Sequence, residues 1–259
     1  MKIELIGLEN IPIINKEINL SEVIIETLEE EKIHIEYGDI ILIAETLISK
    51  SENNIIELNK IKPNEESIKI SEKVNKSPEL VEAILNESNE IIAIGKNFII
   101  TETKHGFICA NAGIDESNVE IGKITPIPIN PDKTATKIRE ELEKKYGVEL
   151  AIVITDTQGR AFRNGAVGVA IGSSGIDPLW KRKGEKDLYG KELKTTEIAI
   201  ADELSSAASL IMGQADEGIP IVIIKGFKNF TNLRSTKKGI KSLLRPKNQD
   251  VFRKVEYKC

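Results

Sequence analysis

The stretch Ile91-Ile-Ala-Ile-Gly-Lys-Asn-Phe-Ile-Ile-Thr-Glu-Thr-Lys-His-Gly-Phe-Ile-Cys-Ala110 holds three apolar runs, Ile91 to Ile94, Phe98 to Thr101 and Phe107 to Ala110, divided by Gly95 and Gly106. Spacing this close leaves no room for a crossover helix, so the runs are expected to pair antiparallel. Outward from them the pattern changes. Ser77 before Pro78 reads as an N-cap with proline in the first turn, opening a helix to about Glu87. A second helix is expected from Pro131 to Tyr146, stopped by Gly147, and the strand Leu150 to Thr155 follows it. Strands separated by helices therefore coexist with strands separated by turns. That mixture predicts an α+β chain of mixed sheets with flanking helices rather than a regular doubly wound sheet.

The remaining segments fit the same reading. A strand near Lys2 to Leu8 enters a proline-bearing loop, Asn10-Ile-Pro-Ile-Ile14, and a helix is expected from about Ser21 to Glu31. Tyr37-Gly38-Asp39 is a turn before a buried strand, Ile40 to Ala44, which runs into Glu45-Thr-Leu-Ile-Ser-Lys50 and leaves Lys50 at a strand end. A helix from about Thr195 ends at Met212 before Gly213, and Ile219 to Lys225 is another buried strand. The basic stretch Ser235 to Lys254 reads as a surface arm, a docking segment or a solvated tail. No repeat or low-complexity linker divides the chain, and domain boundaries are not legible.

Composition excludes several classes. The chain has 259 residues, 40% of them hydrophobic and 30% charged, with a formal net charge of -5, so bulk charge recruits neither nucleic acid nor anionic lipid. Its two cysteines, Cys109 and Cys259, can build no disulfide framework or thiolate zinc site, and a reducing cytoplasm is expected. Met1-Lys-Ile-Glu-Leu-Ile-Gly lacks the uninterrupted core of a signal peptide. Only two histidines occur, and neither His34 nor His105 has a serine or cysteine in a nucleophile-like setting, which argues against Ser-His-Asp or Cys-His catalysis. His34, between isoleucines, is expected in a strand. No Gly-x4-Gly-Lys-Ser/Thr loop and no Gly-x-Gly-x-x-Gly turn is present.

The chemistry that is present consists of oxygen ligands at the ends of apolar runs. Ile154-Thr-Asp-Thr-Gln-Gly-Arg-Ala-Phe-Arg-Asn-Gly-Ala-Val-Gly-Val-Ala-Ile-Gly-Ser-Ser-Gly175 supplies Asp156, Thr157, Arg160, Arg163 and five glycines, a composition suited to a metal and a polyanion. A glycine-rich turn with solvated charges is the plainer alternative. Asn111-Ala-Gly-Ile-Asp115-Glu-Ser-Asn118 follows the third apolar run, and Met212-Gly-Gln-Ala-Asp-Glu-Gly218 lies between a helix and a strand. Mg2+ or Mn2+ carrying a triphosphate needs one or two carboxylates plus substrate oxygens, which this set can provide.

At these residues the chain resembles the coenzyme F420-0:L-glutamate ligases. The resemblance is carried by Gly38 to Lys50, Asn111 to Val119, Ile154 to Gly165, Lys186-Asp-Leu-Tyr-Gly-Lys-Glu-Leu193, Ala201-Asp-Glu-Leu204 and Met212-Gly213, in the family's order. It implies a two-part mixed fold of the family's own within one unit spanning 1–259, no fused flavin-reductase-like domain, and a cytoplasmic homodimer. It also implies ligation of L-glutamate to a deazaflavin coenzyme with consumption of GTP, two Mg2+ or Mn2+ sites and help from K+. Residue by residue, Ile11, Pro12, Ile13 and Ile14 would form the guanine-side loop. Lys50 would touch phosphate and Asn118 the nucleotide, with Glu45 and the segment Met212, Gly213, Ala215, Asp216, Glu217, Gly218 and Ile219 beside them. Asp115 with Asp156 would hold one metal, and Thr157 with Gln214 the other. Two positions depart from the pattern: Gln214 replaces a carboxylate found in some members, and Glu45 stands where some relatives carry a small hydroxyl residue.

The implied chemistry explains the residues. A carboxylate must become an acyl phosphate before an amine can displace phosphate from it, and forming that acyl phosphate brings anion to anion. Two unit charges about 4 Å apart repel by about 4 kcal/mol at an effective dielectric of 20. Metals on Asp115, Asp156 and Thr157, with catalytic help from Asp156, Arg160 and Arg163, would offset that repulsion. Two alternatives stay open. A phosphohydrolase could use Asp156 as nucleophile, although haloacid-dehalogenase-type enzymes need an aspartate where Gln158 stands. A non-catalytic nucleotide-binding protein would fit the neutral Gln214.

Overall fold

The computed structural model describes residues 2–254, so Cys259 lies outside the described residues. The chain runs β1 (Glu4–Gly7), α1 (Leu20–Glu30), β2 (Ile40–Ala44), α2 (Glu45–Ser51), β3 (Ile56–Glu57), α3 (Glu65–Val74) and α4 (Pro78–Asn86). Then come β4 (Ser88–Ile94), β5 (Ile99–Thr103), β6 (Ile108–Ala110), β7 (Lys123–Ile124), α5 (Pro131–Tyr146), β8 (Ala151–Gly159) and β9 (Ala166–Ile176). The last are β10 (Trp180–Lys181), β11 (Glu197–Ile198), α6 (Ile200–Met212), β12 (Ile221–Lys225), α7 (Phe230–Leu233) and β13 (Arg234–Ser235).

Six strands form the main sheet in the order β1-β12-β2-β8-β9-β13. Only β2 and β8 pair parallel, and every other neighbour is antiparallel. The parallel pair needs a long crossover, which here contains the antiparallel sheet β4-β5-β6 with α3 and α4. The α+β reading with mixed sheets is therefore what the structure has. The three runs between Ile91 and Ala110 pair antiparallel as expected.

The apolar sequence accounts for both cores. Ile40 to Ile43 on β2, Ile152 to Ile154 on β8 and Ile221 to Ile223 on β12 are completely buried, as continuous apolar runs covered on both faces should be. A second cluster gathers Ile70, Val74, Leu80, Val81, Ile84, Ile99 and Ile124 around the small sheet. α4 is capped by the Ser77 hydroxyl, which accepts the Leu80 N–H at 3.2 Å. α5 starts at Pro131 behind the Asn130 cap and ends on Gly147 at φ 70°.

Several expectations are corrected. β2 stops at Ala44 and the chain turns at once into α2, so Lys50 lies in the last turn of a helix and not at a strand end. Leu47, Ile48 and Ser51 form its buried side, and Glu45 in the first turn suits the positive helix end. The glycine-rich motif is not a loop after a strand. β8 continues through Thr157 to Gly159, pairs with β9 along its length, and leaves only residues 160–165 as a turn. α6 begins at Ile200 and not near Thr195, because residues 180–198 first close the small β10–β11 pair. His34 lies in irregular chain, where its carbonyl accepts the Lys225 ammonium at 2.7 Å. α3 went unread because its first turn, Glu65-Glu66, obscures a short apolar stripe.

The basic C-terminal stretch is not a free arm. Its backbone N–H at Ile240 donates to Asp132, and Ile240 is buried. Lys238 pairs with Asp177, Lys247 reaches Glu102 at 2.8 Å, and Arg253 pairs with Glu90 and Glu102 on the small sheet. Burial works to raise the Glu102 pKa, but the hydrogen bonds from Lys247 and Arg253 outweigh it, so the carboxyl sits below its ordinary 4.5. Docking is thus strongest above that pH and weakens as the pH falls through the lower folded value. Glu102→Gln is expected to speed tryptic cleavage after Lys247 at neutral pH, with little change in the melting temperature of the main sheet. Equal cleavage rates in both proteins would contradict this clamp.

Candidate functional site

The parallel register of β2 and β8 builds the centre of the site. Ala44 is paired with Thr155, so the next residue on each chain lies side by side with the other: Glu45, which opens α2 at the carboxyl end of β2, and Asp156, which sits within the longer β8. The carboxyl end of β2 is the kind of edge where open α/β-type sheets present ligand sites, because β2 leaves the ladder there while β8 runs on beside the space it vacates. Antiparallel pairing brings other segments to the same edge. The loop after β1 starts there, since the Leu8 N–H donates to Ile221 at the beginning of β12. The segment before β12 arrives there too, with Pro220 accepting the Ala44 N–H.

Asp115 comes from the loop after β6. It forms an isolated bridge with Thr125, and its Oδ1 accepts both the N–H and the hydroxyl of Ser117 at 2.7 Å. The hydroxyl of Thr46 joins this acid to the first pair, donating to Glu45 Oε1 at 2.9 Å and lying 3.3 Å from Asp115 Oδ2. Asp156 is fixed by its own strand, with Oδ1 accepting the Thr157 N–H at 2.6 Å and Oδ2 accepting the Gln158 amide at 2.8 Å. A Cβ on Gly113 would lie 3.7 Å from Asp156 Oδ2 and collide with Ile127, so this glycine, at φ +67°, lets the Asp115 loop run close beside the acid.

The loop after α6 covers the next position. Gln214 Nε2 donates to the Thr157 hydroxyl at 3.1 Å, which anchors this side chain on the residue next to Asp156. Asn118 lies 3.5 Å from the Ala215 carbonyl, and the Lys50 ammonium donates to the Asn118 carbonyl. The ligands inferred from the sequence come from three segments, Asp115, the adjacent Asp156 and Thr157, and Gln214, and together with Glu45, Lys50 and Asn118 they are brought to one edge of the sheet.

Other inferred residues stand differently. Arg160 donates to the Gly165 carbonyl across the hairpin turn at 2.9 Å, and Arg163 is exposed in the same turn. Four residues of extended strand, about 13 Å, separate Arg160 from Asp156, so the structure does not bring the arginines to the acids. Of the Ile11–Ile14 loop, Ile14 is buried in the main core while Pro12 and Ile13 are exposed. Glu31 orders the entry to it by accepting the N–H groups of Glu9 and Asn10. Glu217 is used within its own loop: it accepts the Ala215 N–H at 2.7 Å and lies over Gly213, which has φ +69°. Asp216 and Gly218 are exposed, and Met212 and Ile219 are half-buried against the core. Thr46 and Gln158 were missed. A hydroxyl or amide one or two residues from a candidate ligand was the available signal.

Electrostatically the centre is a concentration of negative charge. Burial, then the charge of Asp156 and that of Asp115, push the Glu45 carboxyl well above the ordinary range. Burial likewise raises Asp156 to about 6, assisted by Asp115 and opposed by the bonds from Gln158 and Thr157. The Cys109 thiol is pushed to about 12 by burial and by Asp156. Burial lowers Lys50, with Asp115 opposing. Among the described residues no three His, Cys, Asp or Glu side chains converge into an all-protein metal cage. The donor set instead fits a hard divalent cation, with carboxylate, hydroxyl and amide oxygens gathered beside an excess of negative charge and coordination left for a substrate to complete.

No helix among the described residues is long and apolar enough to cross a membrane. Residues 9–226 match the family model described as F420-0:Gamma-glutamyl ligase. The Coenzyme F420:L-glutamate ligase of Methanothermobacter thermautotrophicus is 56% identical over 253 residues, 98% of this chain and 100% of that protein. The protein of the same name from Methanocaldococcus jannaschii is 55% identical over 97% of both chains, and that of Methanopyrus kandleri 44% identical over 91% of both. With an edge of acids, amide and hydroxyl oxygens laid out as above and these matches along nearly its whole length, the chain belongs to the F420-0:gamma-glutamyl ligase family.

Proposed function

We propose that this chain joins L-glutamate to the deazaflavin coenzyme F420-0, consuming GTP, and then adds further glutamate through the gamma-carboxyl. The observation that carries the reading is the register-fixed pair Glu45 and Asp156 with Asp115 bridged to it through Thr46, together with family membership. The terminal carboxylate of the coenzyme attacks the gamma-phosphorus of GTP, giving an acyl phosphate and GDP. The amine of glutamate then attacks the acyl carbon, and phosphate leaves with formation of the amide and release of a proton.

Asp115 and Asp156 would hold one Mg2+ or Mn2+, and Thr157 and Gln214 a second, which when bound would supply charge neutralisation and Lewis acidity to the phosphates. The chain's own groups do the rest. The Thr157 N–H and the Gln158 amide hold Asp156 in one orientation, so its lone pairs need no rearrangement during the reaction. Lys50, half-buried in α2, presents a cation at the same edge, where a phosphate can replace the Asn118 carbonyl as its partner. Thr46 spreads one hydroxyl between two acids and keeps Asp115 beside Glu45. Arg160 and Arg163 reach the phosphates only if the hairpin turn folds over the edge. K+ and a homodimeric assembly rest on family membership alone.

Mass spectrometry after incubation with F420-0, GTP, L-glutamate and Mn2+ tests the reading. The expected product is heavier by one or more glutamyl residues, with phosphate release that depends on the coenzyme. Phosphate release without the coenzyme would point to a phosphohydrolase, and nucleotide binding without any release to a binding protein. Product formed equally well with ATP would remove the GTP assignment only.

A further inference from the structure

The β8–β9 hairpin carries a bulge directly before the acid of the site. Ile154 is paired with Gly172 but Thr155 with Ala170, so Ile171 has no partner of its own. Bulges re-aim the strand that follows them and leave local backbone groups in need of other partners. Here the Ala170 N–H is taken by Asp202 Oδ1 at 2.9 Å, from the first turn of α6. One turn further along the helix, the Ser206 hydroxyl donates to the Gly168 carbonyl at 2.8 Å. Gly168 is opposite Thr157, and a Cβ there would meet the Ser205 carbonyl oxygen at 2.4 Å, so helix and strand are in backbone contact. The other end of α6 leads through Gly213 into Gln214, which bonds Thr157.

We propose that Asp202 is a positioning residue of this site: by holding the bulge at Ile171 it keys α6 to the hairpin and so sets Gln214 against Thr157 and Asp156. The proposal rests on the ligase reading above, because it assigns Asp202 to the same oxygen-donor edge. Asp202 touches no inferred substrate or ligand. It acts through two rigid elements, one ending in Gln214 and the other carrying Asp156 and Thr157. An oxygen acceptor is what the role requires, and an amide carbonyl can replace the carboxylate in it.

In the full chain, Asp202→Ala is expected to weaken Mn2+ uptake ~10-fold, read by electron paramagnetic resonance without substrates, and to lower the ligation kcat by ~10-fold or more. The KM for Mn2+ should rise, while KM for glutamate changes little. Asp202→Asn should restore both readouts. Unchanged Mn2+ affinity and kcat in a folded Asp202→Ala protein overturn the proposal, as does an asparagine variant no better than alanine, or a lowered melting temperature with full kcat. If Asp202→Ala does not fold, Ser206→Ala carries the same readouts, and wild-type values there overturn it. A wild-type chain that takes up no Mn2+ refutes the metal assignment, and the proposal is then judged on kcat alone. A wild-type chain without ligation or Mn2+ uptake refutes the ligase reading, and the proposal with it.

Discussion

Asp156→Asn is expected to abolish ligation, by at least ~1,000-fold, and to raise the melting temperature at neutral pH. The two effects have one cause. Burial and neighbouring acid lift the Asp156 carboxyl from its ordinary 3.8 to about 6. Between those values the folded chain keeps a proton that the unfolded chain has released, so stability declines as the pH rises through the window. Above about pH 6 the full penalty of about 3 kcal/mol is present. Asparagine removes the charge and keeps an oxygen for the Thr157 N–H, but its amide faces Gln158 less favourably, which costs about 1 kcal/mol. The net gain of about 2 kcal/mol corresponds to roughly 4–8 °C for a chain of this size. Calorimetry across pH checks the sign: the difference between variant and wild type should shrink towards pH 4. A difference independent of pH would show that charge burial is not its origin. Mn2+ is expected to raise the wild-type melting temperature and to leave the variant nearly unchanged.

Lys50→Met has the next largest expected effect. The ammonium lies at the mouth of an edge that contains Glu45, Asp115 and Asp156, and on the present reading a triphosphate enters there. Methionine keeps the length and apolar stem of the side chain and deletes the charge. Loss of one attraction of about 4 kcal/mol at contact distance, partly offset by solvent and metal, predicts a fall in kcat/KM of ~100-fold. Arginine should recover only part of it, because its planar fork replaces a point charge in a half-buried slot. Isothermal titration with GDP separates binding from chemistry. A variant with wild-type nucleotide affinity and wild-type kcat would remove Lys50 from the site. Its melting temperature is expected to change little, since burial already disfavours the charge that is removed.

Much of this was legible without coordinates, for identifiable reasons. Strong local punctuation placed α4 and α5 almost to the residue, because Ser77-Pro78 and Pro131 mark helix starts and Gly147 a helix end. The three short runs of the small sheet were legible because glycines separate them. Local signals failed where tertiary pairing decides. Nothing within Thr155 to Gly159 distinguishes a loop from a strand continued by a partner, and that partner, β9, lies beyond the turn Arg160-Ala-Phe-Arg-Asn-Gly165. Glu45 looked like an anomaly in isolation. Only the Ala44–Thr155 register shows it to be Asp156's neighbour. The oxygen donors at Asp115, Asp156, Thr157 and Gln214 were named from the sequence, and the structure gathers them at one edge. Arg160 and Arg163 were named on composition, and their position at a hairpin tip depends on how far two strands extend.

The parallel pairing of β2 and β8 has a kinetic corollary. Glu45 and Asp156 belong to segments far apart in the chain, and only that ladder unites them. Contacts of such long sequence separation form late on a folding route, so the mutual repulsion of the two acids is absent from the early collapsed states. The burden then falls on the completed native state and shows mainly in how fast it opens rather than how fast it assembles. A bound cation would accordingly act as a brake on opening, converting a site that strains the empty protein into one that prolongs the life of the loaded one.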